Sequence, residues 1–223
     1  GDSDSIKQWQ FSNSVSFVNF FNGAEAFNQP IGNWDVSSVT DMSNMFQLTE
    51  SFNQDIGDWD TSNVTSMYSM FQQADAFNNG GSASINNWDT SSVTSLVYMF
   101  VNADVFNQPI GNWNTSNVTS LNQMFSGADS FYQDVGNWNV SNVTNMTVLF
   151  GKSIGVTKYG QDLSGWCVPL ITSNPSIGND GTDGIDPVWG TCPAPQVILT
   201  DTDSDNYVLN SSVVTITATF SAA

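Results

Sequence analysis

The feature that most constrains this chain is a pattern that returns every 25 residues through most of its length. In residues 59–77 a valine follows the leading tryptophan by five positions, a threonine follows the valine, and phenylalanines follow at twelve and eighteen. A fixed period of this length is typical of proteins whose repeat units stack so that equivalent residues form columns. We therefore predict a repeat solenoid. The leading tryptophans divide it into unit 2 (34–58), unit 3 (59–87), unit 4 (88–112), unit 5 (113–137) and unit 6 (138–165).

The pattern weakens at both ends, and its 25-residue spacing is broken twice, between Trp59 and Trp88 and again before Trp166. Trp9 begins a degenerate unit 1 (9–33), and we expect residues 1–33 to form an N-terminal capping coil whose outer face meets water. Trp166 keeps the register of the earlier tryptophans, so the solenoid is predicted to span residues 1–166 in about seven coils. Residues 80–83 look like an insertion in unit 3, and insertions in a repeat mark an exposed loop.

Two segments compete for regular structure inside a unit. Residues 52–59 are poor in strand formers, but stacking would let them pair in parallel with their equivalents about 4.8 Å away. Residues 64–71 space their apolar side chains as a short helix would, and they fit a short strand followed by a tight corner equally well. Spacing alone does not separate these alternatives.

The units resemble the short leucine-rich-like repeats of BspA-type bacterial surface proteins, above all the 25-to-26-residue variety of mycoplasmal lipoproteins and marine Bacteroidetes proteins. The line F-N-Q-x-I-x-x-W-D-x-S-x-V-T-x-M-x-x-M-F stands almost whole at 27–46, 52–71 and 106–125, with Leu121 for the first methionine in the last. The resemblance implies a right-handed leucine-rich-like solenoid, mainly of short strands and corners, that is exported and displayed on the cell. It implies a role in adhesion, and it offers no catalytic residues to carry over.

The charge balance is strongly acidic. The chain has 21 acidic residues against three lysines, with no arginine or histidine, for a formal net charge of −18. Binding to nucleic acid or anionic lipid depends on Lys and Arg, so we expect no nucleic-acid partner. No stretch approaches the about 20 apolar residues of a membrane helix, which predicts no direct membrane insertion. No signal peptide opens the sequence, which indicates a mature portion or a fragment.

The two cysteines flank a segment rich in Pro, Gly and Ser directly after the last unit. We predict that a disulfide between Cys167 and Cys192 closes residues 167–193 into a C-terminal cap and contributes about 3 kcal/mol of stability. Two reduced, buried thiols are the alternative. A disulfide fits a secreted or cell-surface location, and a zinc site would need two further ligands.

Residues 194–223 have a different character, because β-branched residues alternate there as they do in strands. They resemble the opening strands of a bacterial immunoglobulin-like module, which needs about 100 residues when complete. We therefore expect a truncated module within a longer modular protein. Docking of these strands on the solenoid, or pairing with another chain, is the alternative.

The repeated aromatic and polar residues have structural interpretations. Seven in-register tryptophans are predicted to form a core ladder rather than a sugar-stacking platform, leaving Trp189 as the candidate for exposure. The ladder contains Trp9 and, in regular register, Trp34, Trp59, Trp88, Trp113, Trp138 and Trp166. An asparagine column is expected to bond backbone groups between coils, with Tyr132 breaking it; its members are Asn28, Asn53, Asn78 and Asn107. The residues after the tryptophans are expected to close turns: Asp35, Asp60, Asp89, Asn114 and Asn139.

Two acidic runs suit calcium, which takes about six to eight oxygen ligands from flexible loops. One run contains Asp201, Asp203 and Asp205, and the other contains Asn179, Asp180, Asp183 and Asp186 among glycines. Neither completes the twelve-residue EF-hand pattern, so solvated acidic loops are the alternative interpretation.

We predict a non-enzymatic cell-surface module that binds a protein or a polysaccharide, because no nonrepeated catalytic constellation stands out. A structural role is the alternative, with coil edges or the C-terminal strands contacting further copies of the chain. A third hypothesis is ice binding by an outward threonine column, against which its varied neighbours count; the column is Thr40, Thr65, Thr94, Thr119 and Thr144.

Overall fold

The computed structural model describes residues 6, 9, 11, 15–153, 160–179 and 184–193. These residues belong to one compact body that ends at Pro193. Residues 194–223, for which the sequence predicts an immunoglobulin-like module, lie outside the described residues. So do five calcium candidates, namely Asp180, Asp183, Asp201, Asp203 and Asp205. Within the described part, no helix is long and apolar enough to cross a bilayer.

Successive units lie side by side in parallel register. One residue per unit forms a parallel bridge with its equivalent in the next unit, and the row of bridges runs through Ser16, Asp41, Ser66, Ser95, Ser120 and Asn145. One further bridge joins Asp162 to Ile185. Apart from these bridges, the described residues contain no strand, and their helices are two short 3-10 turns, Asn79–Gly81 and Ala83–Asn87.

The segment after each bridge alternates two kinds of backbone hydrogen bond. In unit 2 the N–H groups of Met42, Asn44, Phe46 and Leu48 donate to carbonyls of unit 3, while the N–H of Met45 donates to Met42 in its own unit. Asn44 and Leu48 adopt left-handed backbone conformations, with φ of 55° and 59°. These residues turn the chain while its N–H groups still find partners. The short-helix alternative for this segment is therefore wrong, because turns follow the bridge.

Two phenylalanine columns run through the core. Phe46 and Phe71 stack across the boundary between units 2 and 3, with ring centroids 5.5 Å apart. Phe46 also stacks on Phe52 within its own unit at 4.1 Å. The valines of the repeat lie between these rings and the tryptophans in sequence, and Val39 and Val64 are fully buried. Burial of aromatic area and ring stacking both stabilise these columns.

The six tryptophans in regular register are buried, with 0–4% of their surface exposed. Each indole N–H donates to the carbonyl of the residue three positions before the preceding tryptophan, at 2.9–3.1 Å. The acceptors are Ile6, Ile31, Ile56, Ile85, Ile110 and Val135. A buried indole N–H needs a partner, and an Ile or Val three positions before the preceding tryptophan supplies its carbonyl in every case.

The asparagine column joins each unit to the next through side-chain oxygens, which confirms its predicted role. The backbone N–H groups of Asn53, Asn78, Asn107 and Tyr132 donate to the asparagine one unit earlier at 2.9–3.2 Å. The expectation that residues 52–59 pair through their backbones was wrong. The parallel bridges lie elsewhere in the unit, and here the asparagine oxygen takes the place of a backbone carbonyl.

The polar residue after each regular tryptophan closes a turn, as predicted. The Asp60 carboxylate accepts the N–H and the hydroxyl of Ser62 at 3.1 and 2.6 Å, and Asn114 accepts the same groups of Ser116 at 3.1 and 2.7 Å. Aspartate and asparagine are interchangeable here because the turn uses the oxygen and not the charge.

The insertion in unit 3 folds back onto unit 2 through polar contacts. The Asp55 carboxylate accepts the Ser84 hydroxyl at 2.6 Å and the Gly57 N–H at 3.0 Å. The fully buried Asn79 accepts the Ile56 N–H at 2.9 Å. Burial raises the pKa of Asp55, but its donors, led by the Ser84 hydroxyl, outweigh burial and hold the pKa below its ordinary value. The inserted loop is thus exposed at Gly80 and anchored beneath it.

The two ends of the stack differ. At the C-terminal end, the N–H groups of Val148 and Phe150 donate to the Ser176 and Ile177 carbonyls, so a non-repeat segment takes the place of a further unit. The disulfide predicted between Cys167 and Cys192 is present. At the N-terminal end, Trp9 is 47% exposed, and placing it in the buried ladder was wrong. Periodicity fixes its register, but burial also requires a unit on its outer side. Trp189, the candidate for exposure, is partly buried against the core.

Candidate ligand-binding face

The bridged segment of each unit carries a regular outer surface, which we call the bridged face. It consists of the positions of Thr40, Asp41, Ser43 and Asn44 and their equivalents one unit apart. These side chains are partly or fully exposed in unit 2, whereas Met42 between them is buried. The bridges hold the register, so equivalent side chains form rows across the stack.

The threonine row is constant from unit 2 to unit 6, and all five side chains are exposed. Each hydroxyl donates to the carbonyl of the equivalent residue in the preceding unit at 2.9–3.3 Å. The hydroxyl hydrogens are therefore used inside the stack, and only acceptor lone pairs remain for an outside partner. Ice binding by this row stays a prediction.

Two neighbouring rows change their chemistry from unit to unit. One row reads Ser43, Tyr68, Val97, Asn122 and Thr147, and the other reads Asn44, Ser69, Tyr98, Gln123 and Val148. All five residues of the second row have left-handed backbone conformations, with φ of 51–59°. The backbone is thus repeated here while the side chains are not. Internal packing fixes the Trp, Val and Phe columns, and it leaves these two rows free to vary.

A pair of tyrosines in adjacent units is the most distinctive feature of the bridged face. Tyr68 is 38% exposed and Tyr98 is half-buried, and their rings meet edge to face with centroids 5.6 Å apart. Tyr98 occupies the left-handed row, in which a bulky side chain costs about 1–3 kcal/mol and asparagine is better suited. That backbone recurs in every unit and does not distinguish the pair, but exposed tyrosine rings combine apolar area with a hydroxyl and are enriched at interfaces, so the pair is a candidate contact point.

The same two rows also contain polar atoms that are incompletely hydrogen-bonded. Among the described residues, Ser69 Oγ and Asn122 Oδ1 are buried without a hydrogen-bond partner. Ser69 precedes Tyr98 by one unit in its row, and Asn122 lies one unit beyond Val97. An unpaired buried polar atom costs about 1–3 kcal/mol. The polar groups of these two rows are therefore less completely hydrogen-bonded than those of the Trp, Asn and Thr columns.

An acidic column lies at another position of the repeat. It places one carboxylate in each of units 1–5, at Glu25, Glu50, Asp75, Asp104 and Asp129. Burial, followed by the charges of Asp75 and Asp129, raises the pKa of Asp104. The column repels anionic ligands and leaves neutral or cationic ones favoured. In the described part of the chain, no group of three or more acidic, Cys or His residues is placed to hold a metal ion.

Two of the calcium candidates are described, and both have internal partners. The buried Asn179 exchanges two hydrogen bonds with the backbone of Gln161, at 2.7 and 3.0 Å. The Asp186 carboxylate accepts the amides of Asn174 and Asn179 at 2.9 and 3.2 Å. Asn174, Asn179 and Asp186 line a cavity of about 280 Å³. The other candidates lie outside the described residues, so the calcium site stays a prediction.

The pattern of the repeat did not single out the tyrosine pair. A signal was available, because Tyr68 and Tyr98 stand where the other units carry Ser, Asn, Gln, Thr or Val. Asking what each unit does differently, rather than what the units share, finds them.

No curated protein and no solved structure matches this chain. Residues 2–84 and 80–179 match a family described as "Mycoplasma protein of unknown function, DUF285". The two matches cover units 1–6 and part of the C-terminal segment, and they agree with the resemblance to mycoplasmal surface repeats. Residues 194–223 lie outside both matches. The chain therefore belongs to the DUF285 family.

Proposed function

We propose that this chain is a right-handed leucine-rich-like solenoid that serves as a non-enzymatic binding module on the cell surface, within a larger exported protein. One observation carries the proposal: the interior columns are constant from unit to unit, while two rows of the bridged face vary and hold Tyr68 and Tyr98. A repeat scaffold uses such a surface to bind extended partners.

The shifted carboxylates support a non-enzymatic role. The pKa of Asp35, Asp89 and Asp162 is lowered first by the hydroxyl of the serine two residues later. For Asp35 and Asp89 this is the turn contact after the tryptophan, and for Asp162 it is a turn just before Trp166. Asp55 is held by the inserted loop, and Asp104 responds to its own column. Each shift thus has a structural cause in the repeat or its insertion, whereas an active site gathers shifted groups in one cleft.

The partner we propose is a polysaccharide or a protein with a neutral or basic surface. A net charge of −18 disfavours anionic partners, and an exposed tyrosine ring offers apolar contact together with a hydroxyl. Cell-surface location is supported by the family and by the disulfide, which persists in oxidising surroundings. Calcium at the acidic runs remains part of this proposal.

An array of neutral glycans, together with intact bacterial and host cells, tests the proposal with the labelled full chain. We expect Tyr68→Ala to weaken binding about tenfold, as loss of an aromatic contact residue does. Tyr132→Ala is the matched control, since Tyr132 is 59% exposed but belongs to the asparagine column. Equal loss in both variants, or no binding by the native chain, would contradict the proposal.

Sedimentation velocity, with calcium and then with a chelator, separates this role from assembly. A monomer at all concentrations is expected of the binding module. Growth with concentration would favour the structural role, and its loss on chelation would place the contact at a calcium-binding run.

A further inference from the structure

Unit 1 leaves a row of backbone acceptors open. In unit 2 four alternate carbonyls accept N–H groups from unit 1 at 2.8–3.0 Å, namely those of Asp41, Ser43, Met45 and Gln47. The equivalent carbonyls of unit 1 belong to Ser16, Val18, Phe20 and Asn22, and they accept no hydrogen bond within the described part of the chain. The row is therefore the acceptor half of an inter-unit interface without its donor half.

The side chains beside this row are core residues of the repeat that here lack a cover. Trp9 and Phe20 are 47% and 39% exposed, whereas their equivalents in unit 2, Trp34 and Met45, are 4% and 0% exposed. The Trp9 and Phe20 rings lie 6.3 Å apart, so they form one patch. A contiguous apolar patch of this kind marks an interaction surface.

We infer that this surface, the open edge of unit 1, binds a further repeat unit of the same kind. The open edge consists of the four carbonyls that accept no hydrogen bond in the described part of the chain, together with the Trp9 and Phe20 side chains. Every inner boundary of the stack pairs the same acceptor positions and the same core positions with the unit before it. The partner therefore donates N–H groups from alternate residues in parallel register and lays apolar side chains over Trp9 and Phe20.

A second copy of this chain does not fit the open edge. Its donor edge lies in unit 6, where the N–H groups of Val148 and Phe150 already donate to Ser176 and Ile177 at 3.1 and 2.7 Å. Two open edges placed face to face would oppose acceptor to acceptor and remove both from water, which costs about 1–3 kcal/mol for each unpaired group. The occupant is thus a repeat whose own donor edge is uncapped.

A synthetic peptide with the sequence of residues 34–58 tests the inference on the full chain by fluorescence anisotropy. In the stack this unit donates the N–H groups of Met42 and Phe46 to the next unit, while the N–H groups of Ser43 and Met45 are used within it. We expect saturable binding that N-methylation at Met42 and Phe46 weakens about tenfold, as two lost hydrogen bonds would. A peptide methylated at Ser43 and Met45 is the matched control and keeps more of its affinity.

Protein variants locate the site. Phe20→Asp and Trp9→Asp are each expected to weaken peptide binding about tenfold, with circular dichroism and the melting temperature reporting that the fold is kept. Leu170→Asp, at a 54% exposed residue of the C-terminal segment, is expected to leave binding unchanged. Absence of saturable binding, equal loss with both methylated peptides, or loss with Leu170→Asp would overturn the inference. So would a homodimer in sedimentation that Phe20→Asp dissociates, since a second copy would then be the occupant.

Discussion

The two ends of the stack differ in how far the terminal tryptophan is buried and the terminal backbone groups are hydrogen-bonded. At the C-terminal end a non-repeat segment accepts the last N–H groups, buries Trp166 completely and is closed by a disulfide. At the N-terminal end Trp9 keeps the register of the ladder but half of its surface is exposed, and four carbonyls lack donors in the described part of the chain. Terminating a repeat thus requires both an apolar cover and partners for the backbone, and only one end has them.

Replacing the terminal tryptophans should give the largest difference between the ends. Trp166→Ala removes a fully buried indole and its hydrogen bond to the Val135 carbonyl, so we expect a loss of about 3–5 kcal/mol in the free energy of unfolding. Trp9→Ala should cost about 1 kcal/mol, because the exposed half of the ring gains little on folding. Urea unfolding followed by circular dichroism measures both, and equal losses would break the comparison.

Removing the disulfide should weaken the closed end next. For the double variant Cys167→Ser/Cys192→Ser we expect a loss of about 3 kcal/mol, since the unfolded chain is no longer restrained across 25 residues. Hydrogen exchange should then quicken at the amides of Val148 and Phe150, which donate to the cap, before it quickens in unit 3. Uniform exchange along the stack would show that the cap does not stabilise its own end locally.

The asparagine column offers a graded comparison between the exposed end and the middle. Asn53→Ala leaves the N–H groups of Asn78 and Gly80 without their acceptor, and we expect a cost of about 1–2 kcal/mol. Asn28→Ala removes the acceptor of the Asn53 N–H, but Asn28 is exposed and water replaces its oxygen, so the cost should stay below about 1 kcal/mol. Thermal unfolding of the two variants tests whether burial sets the difference.

The smallest expected effect on stability concerns Asp104 in the acidic column, away from both ends of the stack. The folded state raises the pKa of Asp104, so its ionised form opposes folding, and stability should rise as pH falls from neutral through that raised pKa. Below the ordinary value of 3.8 the group is protonated in both states and contributes nothing further. Asp104→Asn should add about 0.5 kcal/mol at neutral pH and flatten this part of the pH profile.

Asp60→Asn is the control for total charge. It removes one negative charge from a turn that Asn114 closes equally well in unit 5, so it should leave the free energy of unfolding at neutral pH almost unchanged. If both variants stabilise the chain equally, net charge and not the acidic column would be the cause.

Sequence reasoning predicted the columns well and their hydrogen-bond partners less well. The asparagine column, the turns at Asp60 and Asn114, and the disulfide follow from register, spacing and composition. Register does not tell which backbone group an aligned side chain meets, so the pairing of residues 52–59 through asparagine oxygens was missed. It does not distinguish an end from the middle either, and Trp9 was placed in the core for that reason. Tyr98 was missed because the left-handed backbone of its row leaves no periodic signal in the letters.

The indole hydrogen bonds constrain how a gene for a repeat protein of this kind can gain or lose residues. Each indole N–H donates to a carbonyl three residues before the preceding tryptophan. The bond therefore involves only neighbouring units and does not depend on how many units the chain contains. Duplication or deletion of a whole unit therefore preserves every such bond, whereas a partial copy shifts the next tryptophan away from its acceptor. The extra residues of unit 3 are tolerated because they form a loop, and the Trp88 indole N–H still donates to the Ile56 carbonyl. Recombination between tandem copies should thus yield relatives that differ mainly by whole units, with changes of only a few residues confined to loops that keep each Ile or Val three positions before its tryptophan.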